Sequence, residues 1–301
     1  SPIPNPHIYL NINYNLILFK IKKMENLNLK ENKVPKYIAI ISSILIPISF
    51  VLFVDLIKRI AKTKLIKKYE LQDDLYREKE LKFFLPCSFI YLIFILLTFI
   101  ILGPYINFNF YEIYFSNEYN KPIFEKIWKT ILIQIINLIL YTGLLIQFVT
   151  GIEYLYPRSK FIFFMEVIYG PFLEEFIYRG ILFTLLKQAG FNGYLSAIFS
   201  SITFSLSHFR HIFDVYFDKS DMKRLYFQSF YTLFFGFYTS YAYNYSGSIF
   251  SSVILHGVCN VLQLPRLNYL NYDINPKLKS IINFGYIFGI LCWIILIFIF
   301  H

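Results

Sequence analysis

Apolar runs near or above the ~20 residues needed to cross a hydrocarbon core recur along the whole length of this chain. Inside a bilayer no water is at hand to satisfy a bare backbone N–H or C=O, so a spanning segment must satisfy its own. Set against the charged breaks between them, the runs give eight candidate spans, roughly 37–57, 83–102, 128–149, 161–187, 191–207, 226–245, 248–264 and 280–300. The first, "YIAIISSILIPISFVLFVDLI", and the last, "SIINFGYIFGILCWIILIFIF", are plain membrane helices, with Asp55 near one end as the sole internal charge. No internal repeat and no Gly/Ser linker divides the chain. The expectation is an all-α, polytopic integral membrane protein of about eight transmembrane helices, preceded by an N-terminal extension over residues 1–36 to which the residues assign no role.

Composition agrees. Of 301 residues 56% are hydrophobic and 16% charged, against about 25% charged in an ordinary soluble chain. The net charge of +10 is concentrated in the loops between apolar runs, which suits an anionic cytoplasmic leaflet better than a nucleic acid. Cys87, Cys259 and Cys292 lie in apolar segments without paired spacing, so neither a disulfide framework nor a CxxC metal site is expected. No signal peptide with a cleavage site is read in "SPIPNPHIYLNINYNLILFK". Loop 58–82 holds nine Lys and Arg, whereas loop 103–127 holds only Lys121 and Lys126. Loops 150–160, 208–225 and 265–279 add further basic residues on the side of 58–82, and that side is assigned to the cytosol. The six Lys of the first 36 residues run against this orientation.

Three polar constellations interrupt the apolar helices. In "GPFLEEFIYRG" (170–180), Glu175 and Arg179 are four apart in the favourable acid-then-base order. Glu174 points about 100° around the helix from Glu175 and has no partner in its own helix. In "FSLSHFRHIF" stand Phe204, His208 and His211, the two histidines three apart. In "SSVILHGVCNVLQLP", His256 and Asn260 share a face among Val, Ile, Leu and small residues. Taken singly, each has a plain reading: a structural ion pair, an interfacial histidine, interhelical glue. Ionisable groups within membrane helices face the bundle interior, where these three sets can meet in a cavity open to the cytosol. A carboxylate with a histidine can activate water, and a His/Asn pair can donate hydrogen bonds to an oxyanion. These are parts of a hydrolase that attacks a carbonyl with water.

The order Glu-Glu-x-x-x-Arg, Phe-x-x-x-His, His-x-x-x-Asn on separate apolar helices resembles the three motifs of the CAAX protease and bacteriocin-processing family. The likeness is closest to its eukaryotic branch, the type II CAAX prenyl endopeptidases, and covers roughly residues 161–265. The resemblance implies a membrane protease domain over 37–301 with its motif-bearing core at 161–265. It further implies a multi-pass endopeptidase of the endoplasmic reticulum membrane, with its site open to the cytosol. Such an enzyme removes the last three residues of prenylated CaaX proteins such as Ras-like small GTPases. Its partners are these substrates and membrane lipids, with no nucleic acid. By the same resemblance Glu174 is the water-activating base with His208 beside it, and His256 and Asn260 form the oxyanion hole. Glu175, Arg179, Phe204 and His211 support them, and no metal or cofactor is implied. Two alternatives stand beside it: a zinc-dependent membrane protease using Glu174, His208 and His256 as ligands, and a non-catalytic membrane scaffold of the same fold.

The charge pattern makes a topological prediction. Glycosylation acceptor sites inserted into loops 58–82, 150–160, 208–225 and 265–279 should all stay unmodified, since these loops face the cytosol. Modification within 208–225 would remove the proposed cytosolic opening.

Overall fold

The computed structural model describes residues 34–66, 73–106, 111–114, 122–154, 159–208, 219–264 and 267–299. Helices form at all eight expected positions, and the described residues contain no strand. They are α1 (Lys36–Ile66), α2 (Asp73–Ile106), a short α3 (Tyr111–Tyr114), α4 (Ile123–Leu140) and α5 (Thr142–Val149). A continuous helical rod over 160–188 follows, made of α6 (Lys160–Phe164), a π-helical stretch Met165–Tyr169, α7 (Gly170–Glu175), a second π stretch Phe176–Phe183, and α8 (Thr184–Gln188). Then come α9 (Gly193–His208), α10 (Lys219–Ser246), α11 (Ile249–Leu262) and α12 (Pro276–Ile299).

Among the described residues three segments are long and apolar enough to cross a bilayer alone: Lys36–Ala61, Arg77–Ile101 and Pro276–Ile299. The α4–α5 pair, bent by 69°, makes a fourth if taken as one span. Their outward faces are apolar: Ile41, Leu45, Ile48 and Leu52 on α1, and Phe284, Ile287, Leu291 and Ile295 on α12, are all exposed at helical spacing. The remaining helices of the expected set are more polar or shorter. With 14 residues, α11 extends only about 21 Å at 1.5 Å per residue, against a hydrocarbon core of about 30 Å. The reason is position: the rod, α9, α10 and α11 pack against one another and bury Ser, Tyr and charged groups that a lipid-facing helix would not carry.

Small residues let these inner helices close up. On α9, Ser196, Ser200, Ser201 and Ser205 are buried, and Ser205 Oγ donates to Ser229 O of α10 at 2.6 Å. Ser200 Oγ ties α9 to the rod by donating to Tyr178 O at 2.8 Å. Without a hydrophobic drive between helices in lipid, such close packing and interhelical hydrogen bonding hold a bundle together. Polar contacts tie the rod at both ends. Arg77 at the start of α2 pairs with Glu166 near the start of the rod. Near the rod's other end, Gln188 Nε2 donates to Glu112 Oε2 at 3.0 Å.

The rod's first π stretch has a cause in its sequence. Pro171 has no N–H to return to the preceding turn, and the Gly170 N–H is diverted to Met165 O, five residues back. Two carbonyls there, Glu166 and Val167, therefore lose ordinary helical donors. Gly257 of α11 lies over Val167: a Cβ at that position would fall 2.3 Å from Val167 O. Since the obstacle is backbone, it cannot swing aside. Gly257→Ala should lower the thermal midpoint of the detergent-solubilised protein by several degrees, the scale of a ~1–3 kcal/mol overpacking cost. An unchanged midpoint would mean that α11 can slide off the rod at no cost.

Candidate active site

The two adjacent carboxylates of the rod occupy different settings, as a 100° rotation demands. The Glu175 side chain is wholly buried, whereas Glu174 is 28% exposed. Arg179, also wholly buried, brings Nη1 to 3.3 Å from Glu175 Oε1, and its Nη2 donates to Gly236 O of α10 at 3.0 Å. Its guanidinium lies 4.5 Å above the Phe204 ring of α9, a cation–π contact strengthened by the dry surroundings.

His256 of α11 joins both carboxylates. Its Nδ1 is 2.8 Å from Glu175 Oε1, and its Nε2 is 3.9 Å from Glu174 Oε2. Donation from Nδ1–H to the carboxylate fixes the plane of the ring and turns Nε2 toward Glu174. Aromatic edges hold the ring from the other directions, with Phe235 centred 4.9 Å away and Phe204 6.2 Å away. Nε2 and Glu174 are too far apart for a direct hydrogen bond. One small polar atom can bond both at ordinary lengths.

Asn260, one turn beyond His256, donates from Nδ2 to Glu166 O at 2.9 Å. That is one of the carbonyls that Pro171 and the diverted Gly170 leave without a helical donor, so the third motif repairs the backbone defect of the first. The amide carries a second N–H, which this bond does not use. His208 is the last residue of α9. Its Nδ1 bonds Phe204 O at 2.9 Å, and its ring packs edge-on to Phe204 at 4.8 Å. Phe204 thus touches Arg179, His208 and His256 together, which makes it the common support of all three motifs.

The structure therefore brings Glu174, Glu175, Arg179, Phe204, His208, His256 and Asn260 into one region. His211 lies outside the described residues. His256 faces Glu174, and Phe204 is among the contacts of His208. Among the described residues no three His, Cys, Asp or Glu side chains form a group suited to hold a metal ion. Sequence reasoning missed four participants. Phe235 and Gly236 lie in an apolar run with no distinguishing pattern. Glu166 was visible as a lone carboxylate in "FIFFMEVIY", and Arg77 was one basic residue among nine in its loop.

Comparison with known proteins points the same way. Residues 156–262 match the family of type II CAAX prenyl endopeptidases, Rce1-like. The chain is 27% identical over 136 residues to CAAX prenyl protease 2 of Arabidopsis thaliana, covering 44% of this chain and 42% of that protein. It is 26% identical over 116 residues to the probable CAAX prenyl protease 2 of Schizosaccharomyces pombe, covering 36% of this chain and 42% of that protein. The match thus spans about two fifths of the length of each of these relatives. No solved structure matches the chain. The matched stretch holds the rod, α9, α10 and α11 with every motif residue described above, so the likeness to the type II CAAX prenyl endopeptidases rests on this part of the chain.

Proposed function

We propose that this membrane protein is an endopeptidase that removes the aaX tripeptide from prenylated CaaX proteins, Ras-like small GTPases among them. The site faces the cytosol from the endoplasmic reticulum membrane. The observation that carries the reading is the arrangement around His256: one ring held by a buried carboxylate on Nδ1, facing a second, part-exposed carboxylate through Nε2.

In this mechanism Glu174, helped by His208, takes a proton from water as the water oxygen attacks the carbonyl of the prenylated cysteine. The electron pair of that carbonyl moves onto its oxygen. The resulting charge meets His256 Nε2, acting as a donor, and the second N–H of Asn260. When the tetrahedral adduct collapses, the C–N bond breaks and the proton on Glu174 goes to the departing amine of the tripeptide. No metal enters the scheme. Burial among helices keeps bulk water from weakening these contacts, and the bilayer offers the prenyl chain a route to the site.

The direct test is a pair of peptides ending in CaaX, identical except for the prenyl group. The prenylated peptide should be cut just after the modified cysteine and the bare one left intact. Equal cleavage at equal concentration would overturn the assignment. His256→Ala and Asn260→Ala, checked for folding by thermal denaturation, should each lower turnover by about 10²–10³-fold, the scale of losing one oxyanion donor. Near-normal turnover in either would return that residue to helix packing.

A further inference from the structure

The Arg77–Glu166 pair stands apart from the motifs, yet it touches the site's edge. Arg77 Nη2 contacts Glu166 Oε1, and the backbone oxygen of the same Glu166 holds Asn260. The Arg77 side chain is 60% exposed and that of Glu166 18% exposed. An ion pair so open to solvent contributes little stability, about 0–1 kcal/mol, so its worth to the fold is small. A guanidinium suits a carboxylate better than any other side chain does, because its forked donors match the two oxygens.

The aaX tail of the proposed substrate ends in a free α-carboxylate, and a charge entering a site among apolar helices needs a partner. Distance ties this carboxylate to Arg77. Three extended residues beyond the scissile bond span about 10 Å at 3.3–3.6 Å each. Along the rod, Glu166 precedes Glu174 by eight residues, about 12 Å at 1.5 Å per residue and slightly less through a π turn. Both Glu166 and Arg77 lie toward the end of the bundle that the loop charges assign to the cytosol, where the tail enters.

We infer that Arg77 receives the C-terminal carboxylate of the substrate, with Glu166 occupying the guanidinium until the tail arrives. The pair then acts as a stop at fixed distance from Glu174, selecting tails that end three residues past the cleaved bond. This rests on the endopeptidase reading above and adds to it the residue that recognises the free terminus.

The test compares two prenylated CaaX peptides, one ending in the free acid and one in the amide, on wild-type protein and on Arg77→Gln and Arg77→Lys. Wild type should cleave the acid with a KM roughly 10–100-fold below that of the amide, the scale of losing a charge-assisted contact. Arg77→Gln should raise the KM of the acid to that of the amide with little change in kcat, and Arg77→Lys should restore part of the preference. A merely structural Arg77 would instead depress both peptides together, along with the thermal midpoint, and that result overturns the inference. Equal cleavage of acid and amide by wild type, or a preference that survives in Arg77→Gln, would do the same while leaving the endopeptidase reading intact. Cleavage of neither peptide by wild type would overturn both.

Discussion

A buried guanidinium must be answered from several sides, and Arg179 is answered by three helical elements directly and by a fourth through Glu175. Its own rod supplies Glu175, α10 supplies the Gly236 carbonyl, and α9 supplies the Phe204 ring beneath it. Through Glu175 it also reaches His256 on α11. Breaking a buried pair by removing one partner costs about 3–5 kcal/mol, because the other charge is left without compensation. The four elements that bring the motifs together are thus tied to one charge. With Glu175 committed to Arg179 and His256, Glu174 remains the carboxylate that is part-exposed and free of a helix-local partner, which is what a proton acceptor for water requires.

The rod's backbone serves the same end. Pro171 and the π stretches disturb the helix on both sides of Gly170–Glu175, and π turns are frequent at functional sites. The disturbance leaves a carbonyl for Asn260 and a bare approach for Gly257. His256 and Asn260 therefore dock on the rod, through Glu175 and the Glu166 carbonyl.

Much of this was legible in the residues. The apolar runs located all eight helical segments, since a length near 20 apolar residues is dictated by the bilayer and not by tertiary contacts. Which faces turn inward was less legible: α11, expected as a span like the others, buries Ser251, Ser252, Leu255, His256 and Cys259 and leaves Phe250 and Ile254 exposed. The Glu175–Arg179 pair followed from a four-residue spacing, which any helix reports. The Glu175–His256 bond did not, because it joins positions 81 apart whose meeting depends on how the rod and α11 cross. Nor did the bond from Asn260 to Glu166 O. A backbone carbonyl freed by a π turn has no side-chain signature, although Pro171 was there to suggest it. The bond from His208 Nδ1 to Phe204 O has no sequence signature either.

The division of labour between two adjacent carboxylates is the centre of this account, and turnover of Glu174→Gln tests it most directly. The substitution keeps shape and removes the base, so prenylated CaaX peptide should still bind while cleavage disappears and the thermal midpoint stays that of wild type. Glu175→Gln, measured alongside, should instead lower the midpoint by stripping Arg179 and His256 of their shared partner. A Glu174→Gln protein that still cleaves, or that unfolds as Glu175→Gln is expected to, would contradict the assignment of Glu174 as the base.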